Sequence, residues 1–210
     1  MEHEFWHERW GNNQIAFHEG KPNALLTRHI SALNLKAGDR VFLPLCGKTT
    51  DIGWLMDQGF EVVGAELSEI AIKQLFSEMG ITPEIERAGS LKIYSAPDLI
   101  IYVGDIFELT PDLLGPVTAV YDRAALVALP DEMRTKYGAH LVSLTSAARQ
   151  LVITFDYDQS VIPGPPFSVP ESTVRLLYDD VYDISQLESV EVEGGLKGKV
   201  EATELAWLLS

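Results

Sequence analysis

The residues of this sequence that could do chemistry are grouped around one glycine turn and one acid. A hydrophobic run from Val41 to Leu45 breaks at Cys46-Gly47-Lys48, and a second run, residues 62–65, ends in Glu66. The spacing from Gly47 to Glu66 is close to the roughly 20 residues found in the first βαβ unit of a doubly wound sheet. An acid at that place can accept hydrogen bonds from both hydroxyls of a ribose. The pattern therefore predicts a site for a nucleoside cofactor.

The sequence of the turn leaves three kinds of ligand to compare. A dinucleotide site favours G-x-G-x-x-G, which lets backbone amides approach a pyrophosphate, but this turn has one glycine. Gly47-Lys48-Thr49 supplies the last three positions of a P-loop, whose first glycine is replaced here by Phe42. S-adenosylmethionine has a ribose and an adenine but no phosphate, so a glycine-poor turn beside Glu66 suits it best. A solvated acid after an ordinary turn is the plainest alternative.

Two further predicted strands also end in polar residues. Asp105 follows the run from Leu99 to Val103, and Asp122-Arg123 follows residues 117–121. Ligands of mostly parallel sheets bind beyond the carboxyl ends of the strands. Glu66, Asp105 and Arg123 are therefore expected to converge on one rim of the sheet.

The composition is that of an ordinary globular protein. The chain has 210 residues, of which 46% are hydrophobic and 22% charged, so a single domain over residues 1–210 is expected. Its 16 basic and 31 acidic residues give a formal net charge of −15. That charge repels nucleic-acid phosphates and anionic lipids, so neither is an expected partner. The single cysteine allows no internal disulfide, and we expect a cytoplasmic monomer.

Periodicity predicts the elements that must position these residues. Residues 1–37 are predicted to form an N-terminal helical cap and residues 38–210 a Rossmann-like core, because strands alternate with helices after the cap. Residues 81–97 are expected to be irregular apart from a short strand near Leu91 to Tyr94. The last two strands, residues 184–192 and 202–209, are expected to pair as an antiparallel hairpin. The fold class is therefore α/β, with a mostly parallel sheet and an antiparallel edge.

Four motifs, in this order, also give the chain a specific family resemblance. They are Leu43 to Lys48 (LPLCGK), Val63 to Ser68 (VGAELS), Tyr121 to Ala128 (YDRAALVA) and Pro163 to Pro170 (PGPPFSVP). With these motifs the chain resembles the thiopurine S-methyltransferase family in its bacterial form. The resemblance runs nearly from end to end of the chain.

The resemblance implies a fold and a function. The fold is the Rossmann-like, seven-stranded sheet of S-adenosylmethionine-dependent methyltransferases, with S-adenosylmethionine as cofactor. The reaction is methyl transfer to the sulfur of thiopurines or other aromatic thiols. Some bacterial members are also linked to methylation of selenium or tellurium compounds, which suggests detoxification.

The resemblance also implies site residues, position by position. The implied cofactor-binding residues are Trp10, Leu45, Glu66, Asp105, Ile106 and Arg123, with Asp105 and Ile106 beside the adenine. Phe17 matches the family's aromatic residue that meets the substrate. Phe167, in the proline-rich loop, is expected to face the acceptor. Near the final hairpin the family tends to carry arginine, whereas this chain has Gly195 to Lys199 (GLKGK).

The expected reaction needs no dedicated proton acceptor. A sulfur nucleophile attacks the methyl group in line and the leaving thioether is neutral, so positioning and desolvation can supply much of the rate. An aromatic thiol is acidic enough that solvent or the charge of Arg123 can suffice. We therefore predict no catalytic side chain, and the five histidines lack metal-ligand spacing. The alternatives are a P-loop-like enzyme that uses Gly47-Lys48-Thr49 and a non-catalytic adenosylmethionine-binding protein.

Overall fold

The structure of the protein is a computed structural model that describes residues 3–15 and 19–210. Within these residues the chain forms one nine-stranded sheet. The strands are β1 (Arg40–Pro44), β2 (Glu61–Glu66), β3 (Glu84–Ala88), β4 (Leu91–Ala96), β5 (Leu99–Val103), β6 (Ala119–Arg123), β7 (Arg149–Tyr157), β8 (Ile184–Glu191) and β9 (Ala202–Leu209).

The α-helices in the same part of the chain flank this sheet or precede it. They are α1 (His3–Gly11), α2 (Ala24–His29), α3 (Asp51–Asp57), α4 (Glu69–Glu78), α5 (Pro111–Leu114), α6 (Asp131–Thr145) and α7 (Glu171–Tyr178). Short 3₁₀ turns lie at Ile30–Leu33, Ile106–Glu108 and Leu126–Ala128. α1 and α2 fall in the segment predicted to form the cap.

The order of strands across the sheet is β3-β4-β5-β2-β1-β6-β7-β9-β8. The five central strands lie in the order β5-β2-β1-β6-β7, and each pairs in parallel with the next. Both outer pairs of strands are antiparallel to their neighbours. The predicted α/β class and mostly parallel sheet are confirmed. The expected seven strands were an undercount, and antiparallel hairpins flank both edges rather than one.

The strand predicted near Leu91 to Tyr94 is confirmed as β4, but the rest of residues 81–97 is not irregular, because β3 pairs with β4 as a hairpin. The structure pairs Glu84 with Ser95 and Ala88 with Leu91 along this hairpin. β3 is an edge strand, and almost all of its side chains are exposed. Backbone pairing rather than burial stabilises such a strand, so its charged sequence carries no hydrophobic alternation to detect.

The core occupies both faces of the sheet. In β1, Phe42 packs in one large hydrophobic cluster, and Val41 and Leu43 pack in another. Successive side chains of a strand point to opposite faces, so β1 is buried on both sides. A central strand of a parallel sheet covered by helices has this pattern. The carboxyl ends of these rigid strands therefore hold fixed positions.

A buried acid ties the N-terminal segment to the sheet. Asp51, at the start of α3, is 1% exposed. One of its carboxylate oxygens accepts a hydrogen bond from the backbone N–H of Asn23 at 2.7 Å, and the other accepts one from the hydroxyl of Tyr121 at 3.1 Å. The side chain of Asn23 in turn caps α2. α2 is therefore tied through Asp51 to α3 and to β6.

A second buried acid, Asp122, lies in β6 and points into the core rather than towards the rim. Its carboxylate accepts hydrogen bonds from the hydroxyl of Tyr137 at 2.5 Å and from the backbone N–H of Leu126 at 3.0 Å. Burial raises the pKa of Asp122 to about 6, although these hydrogen bonds act to lower it. Between these two pKa values, 3.8 and about 6, the carboxyl of Asp122 is therefore largely protonated in the native state and largely ionised in the unfolded chain.

We expect this proton to make the stability of the protein depend on pH. The pKa of Asp122 rises from 3.8 to about 6 on folding, so its contribution to the free energy of unfolding falls as the pH rises through that window. Asp122→Asn, which can keep both hydrogen bonds, should remove about 3 kcal/mol of this fall at most. Urea unfolding of both proteins from about pH 4 to about pH 7 measures the difference. Parallel stability curves would contradict the assignment.

Candidate active site

A cavity of about 560 Å³ opens at the carboxyl ends of the parallel strands. Its walls come from α1, the turn after β1, the end of β2, the residues after β5 and β6, and the strands β7 and β9. This volume lies in the range of sites for small molecules and cofactors. The position is the one that a doubly wound sheet offers to a ligand.

The turn after β1 presents its backbone to this cavity. Leu45 has φ +47° and Gly47 has φ +55°, so both lie in the left-handed region. A non-glycine residue in that region is uncommon and is typical of functional sites. The N–H of Cys46 continues the β1–β2 ladder by donating to the carbonyl of Ala65 at 3.0 Å. The turn is thereby fixed to the strand beside it.

Glu66 ends β2 and is almost completely buried, at 6% exposed. One carboxylate oxygen accepts from the N–H of Gly47 at 2.8 Å and the other accepts from the N–H of Ser68 at 2.7 Å. Burial raises the pKa of this carboxyl, whereas the N–H groups of Ser68, Gly47 and Leu67 act to lower it. Each carboxylate oxygen can accept about two hydrogen bonds. The hydrogen bonds from Gly47 and Ser68 therefore leave acceptor capacity on the carboxylate for ribose hydroxyls.

The indole of Trp10 covers the glycine turn. Trp10 is 4% exposed, and its Cζ2 atom would lie 3.1 Å from a Cβ atom added at Gly47. Trp6 and Arg9, also on α1, line the same wall of the cavity. An aromatic face above a cavity can attract a cation such as a sulfonium. Gly47 is therefore needed for its small size as well as for its conformation.

The residues after β5 form a mixed polar and apolar wall. Asp105, Ile106 and Phe107 all line the cavity. One carboxylate oxygen of Asp105 accepts from the N–H of Phe107 at 3.0 Å, which begins the short turn Ile106–Glu108. Ile106 is 5% exposed, and the ring of Phe107 packs 5.4 Å from that of His140. A polar edge beside flat apolar groups suits a purine ring.

Arg123 ends β6 and turns into the cavity, whereas its neighbour Asp122 turns into the core. Its guanidinium donates to a carboxylate oxygen of Glu19 at 2.5 Å, and its side chain is 11% exposed. The second oxygen of Glu19 accepts from the side-chain amide of Asn23 at 3.4 Å. The segment before α2 thus supplies an acid that holds Arg123 at the rim of the sheet.

The far end of the cavity is lined by the proline-rich loop and the final hairpin. Pro165 and Pro166 line it together with Phe155 of β7. The ammonium of Lys197 donates to the carbonyl of Pro165 at 2.8 Å, and the hydroxyl of Tyr157 donates to the carbonyl of Pro166 at 2.6 Å. Both hydrogen bonds fix the loop, so this end of the cavity is preformed.

The structure gathers the predicted cofactor residues in one place. The six that line this cavity are Trp10, Leu45, Glu66, Asp105, Ile106 and Arg123. Phe17 lies outside the described residues. Phe167 is not among the residues that line the cavity; its backbone N–H donates to the carbonyl of Val127 at 2.6 Å and its ring lies 5.8 Å from the guanidinium of Arg134. Contact of Phe17 or Phe167 with a substrate stays a prediction.

Sequence reasoning missed other residues that line the cavity. They are charged or aromatic, and they include Arg9, Glu19, Phe107 and Glu204. Glu204 interrupts the alternation of a predicted strand, which is a signal that could have marked it. The others come from turns and helix ends, where no periodicity indicates which side chain faces a cavity.

The comparison with known families decides the assignment. A family model described as thiopurine S-methyltransferase matches residues 1–206. The chain belongs to the thiopurine S-methyltransferase family. The predicted family is therefore confirmed.

Relatives within this family are similar over their full length. The thiopurine S-methyltransferase of Xanthobacter autotrophicus is 55% identical and covers 100% of this chain and 99% of its own. That of Gluconobacter oxydans is 51% identical and covers 98% of this chain and 94% of its own.

Solved structures of more distant proteins show the same fold. A Burkholderia thailandensis 1,6-didemethyltoxoflavin-N1-methyltransferase with bound S-adenosylhomocysteine has a TM-score of 0.63 at 14% identity, covering 99% of this chain and 87% of its own. The Synechocystis magnesium protoporphyrin IX methyltransferase has a TM-score of 0.62 at 14% identity and covers 100% of both chains. The family member described here thus has the fold of S-adenosylmethionine-dependent methyltransferases. Family and fold support the predicted enzyme class and do not support the P-loop-like alternative.

The position of Lys48 also argues against a P-loop. Its ammonium donates to a carboxylate oxygen of Glu78 on α4 at 2.5 Å. A P-loop lysine instead reaches the β- and γ-phosphates from a nest of backbone amides. The β1 turn of this family member therefore has its lysine in a surface ion pair rather than over a phosphate site.

Two kinds of feature are absent from residues 3–15 and 19–210. In that part of the chain, no group of three or more His, Cys, Asp or Glu side chains could hold a metal ion. None of the helices described there has the length and apolar character needed to cross a membrane.

Gly47→Ala should weaken binding of S-adenosylhomocysteine by about tenfold, or about 1.4 kcal/mol. The added methyl group would lie 3.1 Å from Trp10 and would force the indole or the turn to shift. Gly38→Ala is a matched control, because Gly38 also has a positive φ, +82°, but has no atom within 4 Å of an added Cβ. Isothermal titration calorimetry measures both affinities, and equal loss in the two variants would contradict the role of Gly47.

Proposed function

We propose that this family member transfers the methyl group of S-adenosylmethionine to the sulfur of small aromatic thiols, thiopurines among them. The observation that carries the proposal is the buried carboxylate of Glu66, which two backbone N–H groups hold at the wall of the cavity. It faces the same cavity as Arg123 and an apolar wall. The names of the close relatives support the choice of acceptor.

The residues present fit the cofactor along its whole length. Glu66 would accept hydrogen bonds from the ribose hydroxyls, while Asp105 and Ile106 would hold the edge and the face of the adenine. The exposed backbone of Leu45 leaves room for the methionine part, and Trp10 would cover it. Arg123 lines the same cavity and would pair with the cofactor's carboxylate.

When bound, S-adenosylmethionine supplies a methyl group on a positively charged sulfur. The protein's part is to place an acceptor sulfur in line with that methyl group and to exclude water. Trp10 closes the cavity above the glycine turn, and Ile153 and Phe155 form its floor. Holding two reactants in a fixed geometry can lower the barrier by about 7–11 kcal/mol.

The far end of the cavity suits an aromatic acceptor that reacts as an anion. Phe155, Pro165 and Pro166 offer flat apolar surface for a ring. Arg123 and Lys197 add positive charge near it, although the chain as a whole carries −15. A thiolate is stabilised by such cations, whereas a neutral thiol gains nothing from them. Selenium and tellurium compounds lack the ring that these walls would contact, and we propose them only as secondary acceptors.

We further propose that the chain works as a cytoplasmic monomer. This proposal is supported by the cavity, which described residues from several elements of a single chain already line. Size-exclusion chromatography with light scattering measures the oligomeric state.

A methyl-transfer assay tests the proposed function. Purified protein is incubated with S-adenosylmethionine that carries a radiolabelled methyl group and with thiophenol, a thiopurine, selenite, tellurite or phenol. We expect label in the thioethers and far less in the product from phenol, because an oxygen nucleophile of the same shape is less reactive. No labelled thioether from any thiol would overturn the proposal. Binding of ATP that depends on magnesium would favour the P-loop-like alternative, and cofactor binding without transfer would favour the non-catalytic one.

Glu66→Gln should weaken S-adenosylhomocysteine binding roughly 10- to 100-fold, the scale of a lost hydrogen bond to a charged group at about 1.5–3 kcal/mol. In the variant, the NH₂ group of the new side chain would replace one carboxylate oxygen and would face a backbone N–H group. One of the hydrogen bonds that hold the turn would therefore be lost as well. Glu84→Gln is the control, because Glu84 lies on the exposed edge strand β3 and does not line the cavity. Calorimetry should show unchanged affinity for the control and a clear loss for Glu66→Gln. An unchanged affinity for both would remove the ribose assignment.

A further inference from the structure

Glu204 is an acid at the opposite end of the cavity from Glu66. It lies in β9 beside Phe155 of β7, and both residues line the cavity. Three strands, β1, β6 and β7, lie between β2 and β9 in the sheet. Four strand spacings amount to roughly 19 Å. Glu204 is therefore far from the ribose position and beside the apolar wall that suits an acceptor ring.

Charged groups from several elements face Glu204. Burial raises the pKa of its carboxyl, and the nearby charge of Glu19 raises it further. Arg123 from β6 and Arg28 from α2 act to lower the pKa, as does a hydrogen bond from the side chain of Asn23. The balance leaves the pKa of Glu204 above its ordinary value of 4.5. A carboxylate in such surroundings is a better proton acceptor than one in water.

The other acids of the cavity have partners within the fold, and Asp105 accepts a hydrogen bond from the N–H of Phe107. Both oxygens of Glu66 accept from backbone N–H groups. Glu19 is paired with Arg123 at 2.5 Å, which balances the charge of that guanidinium. Glu19 balances Arg123 and Glu188 balances Arg28. Glu204 is therefore the additional negative charge of this cluster, and taking up a proton would bring the cluster to neutrality.

We propose that Glu204 accepts the proton of the acceptor's thiol during methyl transfer. This inference rests on the proposed function and adds a catalytic residue to it, where the sequence predicted none. The S–H bond breaks and its proton passes to the carboxylate of Glu204. The acceptor sulfur uses the electron pair left by that proton to bond the methyl carbon, whose bond to the donor sulfur breaks with its own pair left on that sulfur. Solvent then takes the proton from Glu204.

Arg123 has a separate part in this arrangement. Its guanidinium, held by Glu19, lies at the end of β6 between the cofactor end and Glu204 in the strand order. A fixed positive charge there stabilises the thiolate that proton transfer creates. Glu204 could instead serve only to position Arg123, and the two roles differ in what they predict for acceptors of different acidity.

The first test measures protonation without turnover. An aromatic thiol whose thiolate absorbs visible light is bound to the protein together with S-adenosylhomocysteine, which has no methyl group to give. A carboxylate close to the sulfur repels a thiolate, so we expect the bound chromophore to ionise at a lower pH in Glu204→Gln than in the wild-type protein. Glu201→Gln is the matched control, because Glu201 is exposed and lies at the start of the same strand outside the cavity. Equal ionisation in wild-type and Glu204→Gln proteins would overturn the inference.

The second test varies the acidity of the thiol. For thiols that are protonated at the assay pH, Glu204→Gln should slow transfer by about 10²- to 10⁴-fold, the usual range for general-base catalysis. For thiols already ionised in solution the loss should be less than about tenfold, and Glu201→Gln should match the wild type throughout. An equal loss across the series would show that Glu204 only positions its neighbours, and would overturn the inference while leaving the proposed function intact.

Two further measurements keep the outcome clear. If Glu204→Gln does not fold, the pH profile of the wild type serves instead: transfer to weakly acidic thiols should fall at low pH as one carboxylate is protonated, and a profile set by the thiol alone would contradict the role of Glu204. Absence of transfer by the wild-type protein to any thiol would instead overturn the proposed function, and the role of Glu204 with it.

Discussion

Two backbone N–H groups hold the carboxylate of Glu66, and much of the site depends on this clamp. The N–H of Gly47 comes from the turn after β1 and that of Ser68 from the start of α4, so one side chain joins the two first units of the sheet. The same hydrogen bonds keep a buried acid ionised more easily than burial alone would allow. A preformed acceptor of this kind binds a ribose without having to reorganise, which favours affinity.

The distribution of charge in the cavity differs from that of the whole chain. The protein carries −15, yet Arg9, Arg123 and Lys197 line the cavity near its apolar end. Arg123 is held by Glu19, and Lys197 by the carbonyl of Pro165. Arg123 and Lys197 are thus held in place before a ligand binds, which lowers the entropic cost of binding. The cations in the cavity can attract a small anion, whereas the negative outer surface repels a long polyanion.

Particular residues show how far the sequence could predict this site. Glu66, Asp105 and Arg123 were predictable because each follows a hydrophobic strand, and parallel strands end on one side of the sheet. Family motifs added Trp10, Leu45 and Ile106. Phe107 and Glu19 were not predicted, since turn geometry and an ion pair across the fold place them in the cavity. The edge strand β3 was missed because its side chains are exposed and charged.

The sequence by itself determined the alternation of central strands and helices, the family and the residues at the carboxyl ends of the central strands. These follow from local hydrophobic periodicity and from motifs that need no knowledge of distant contacts. Only the tertiary structure decided which way neighbouring side chains point: Asp122 enters the core and Arg123 enters the cavity, although they are adjacent in the chain. Only the structure brought Glu204 to the acceptor end, because pairing between β7 and β9 sets its position. Such pairings depend on contacts between residues far apart in sequence, and no local pattern encodes them.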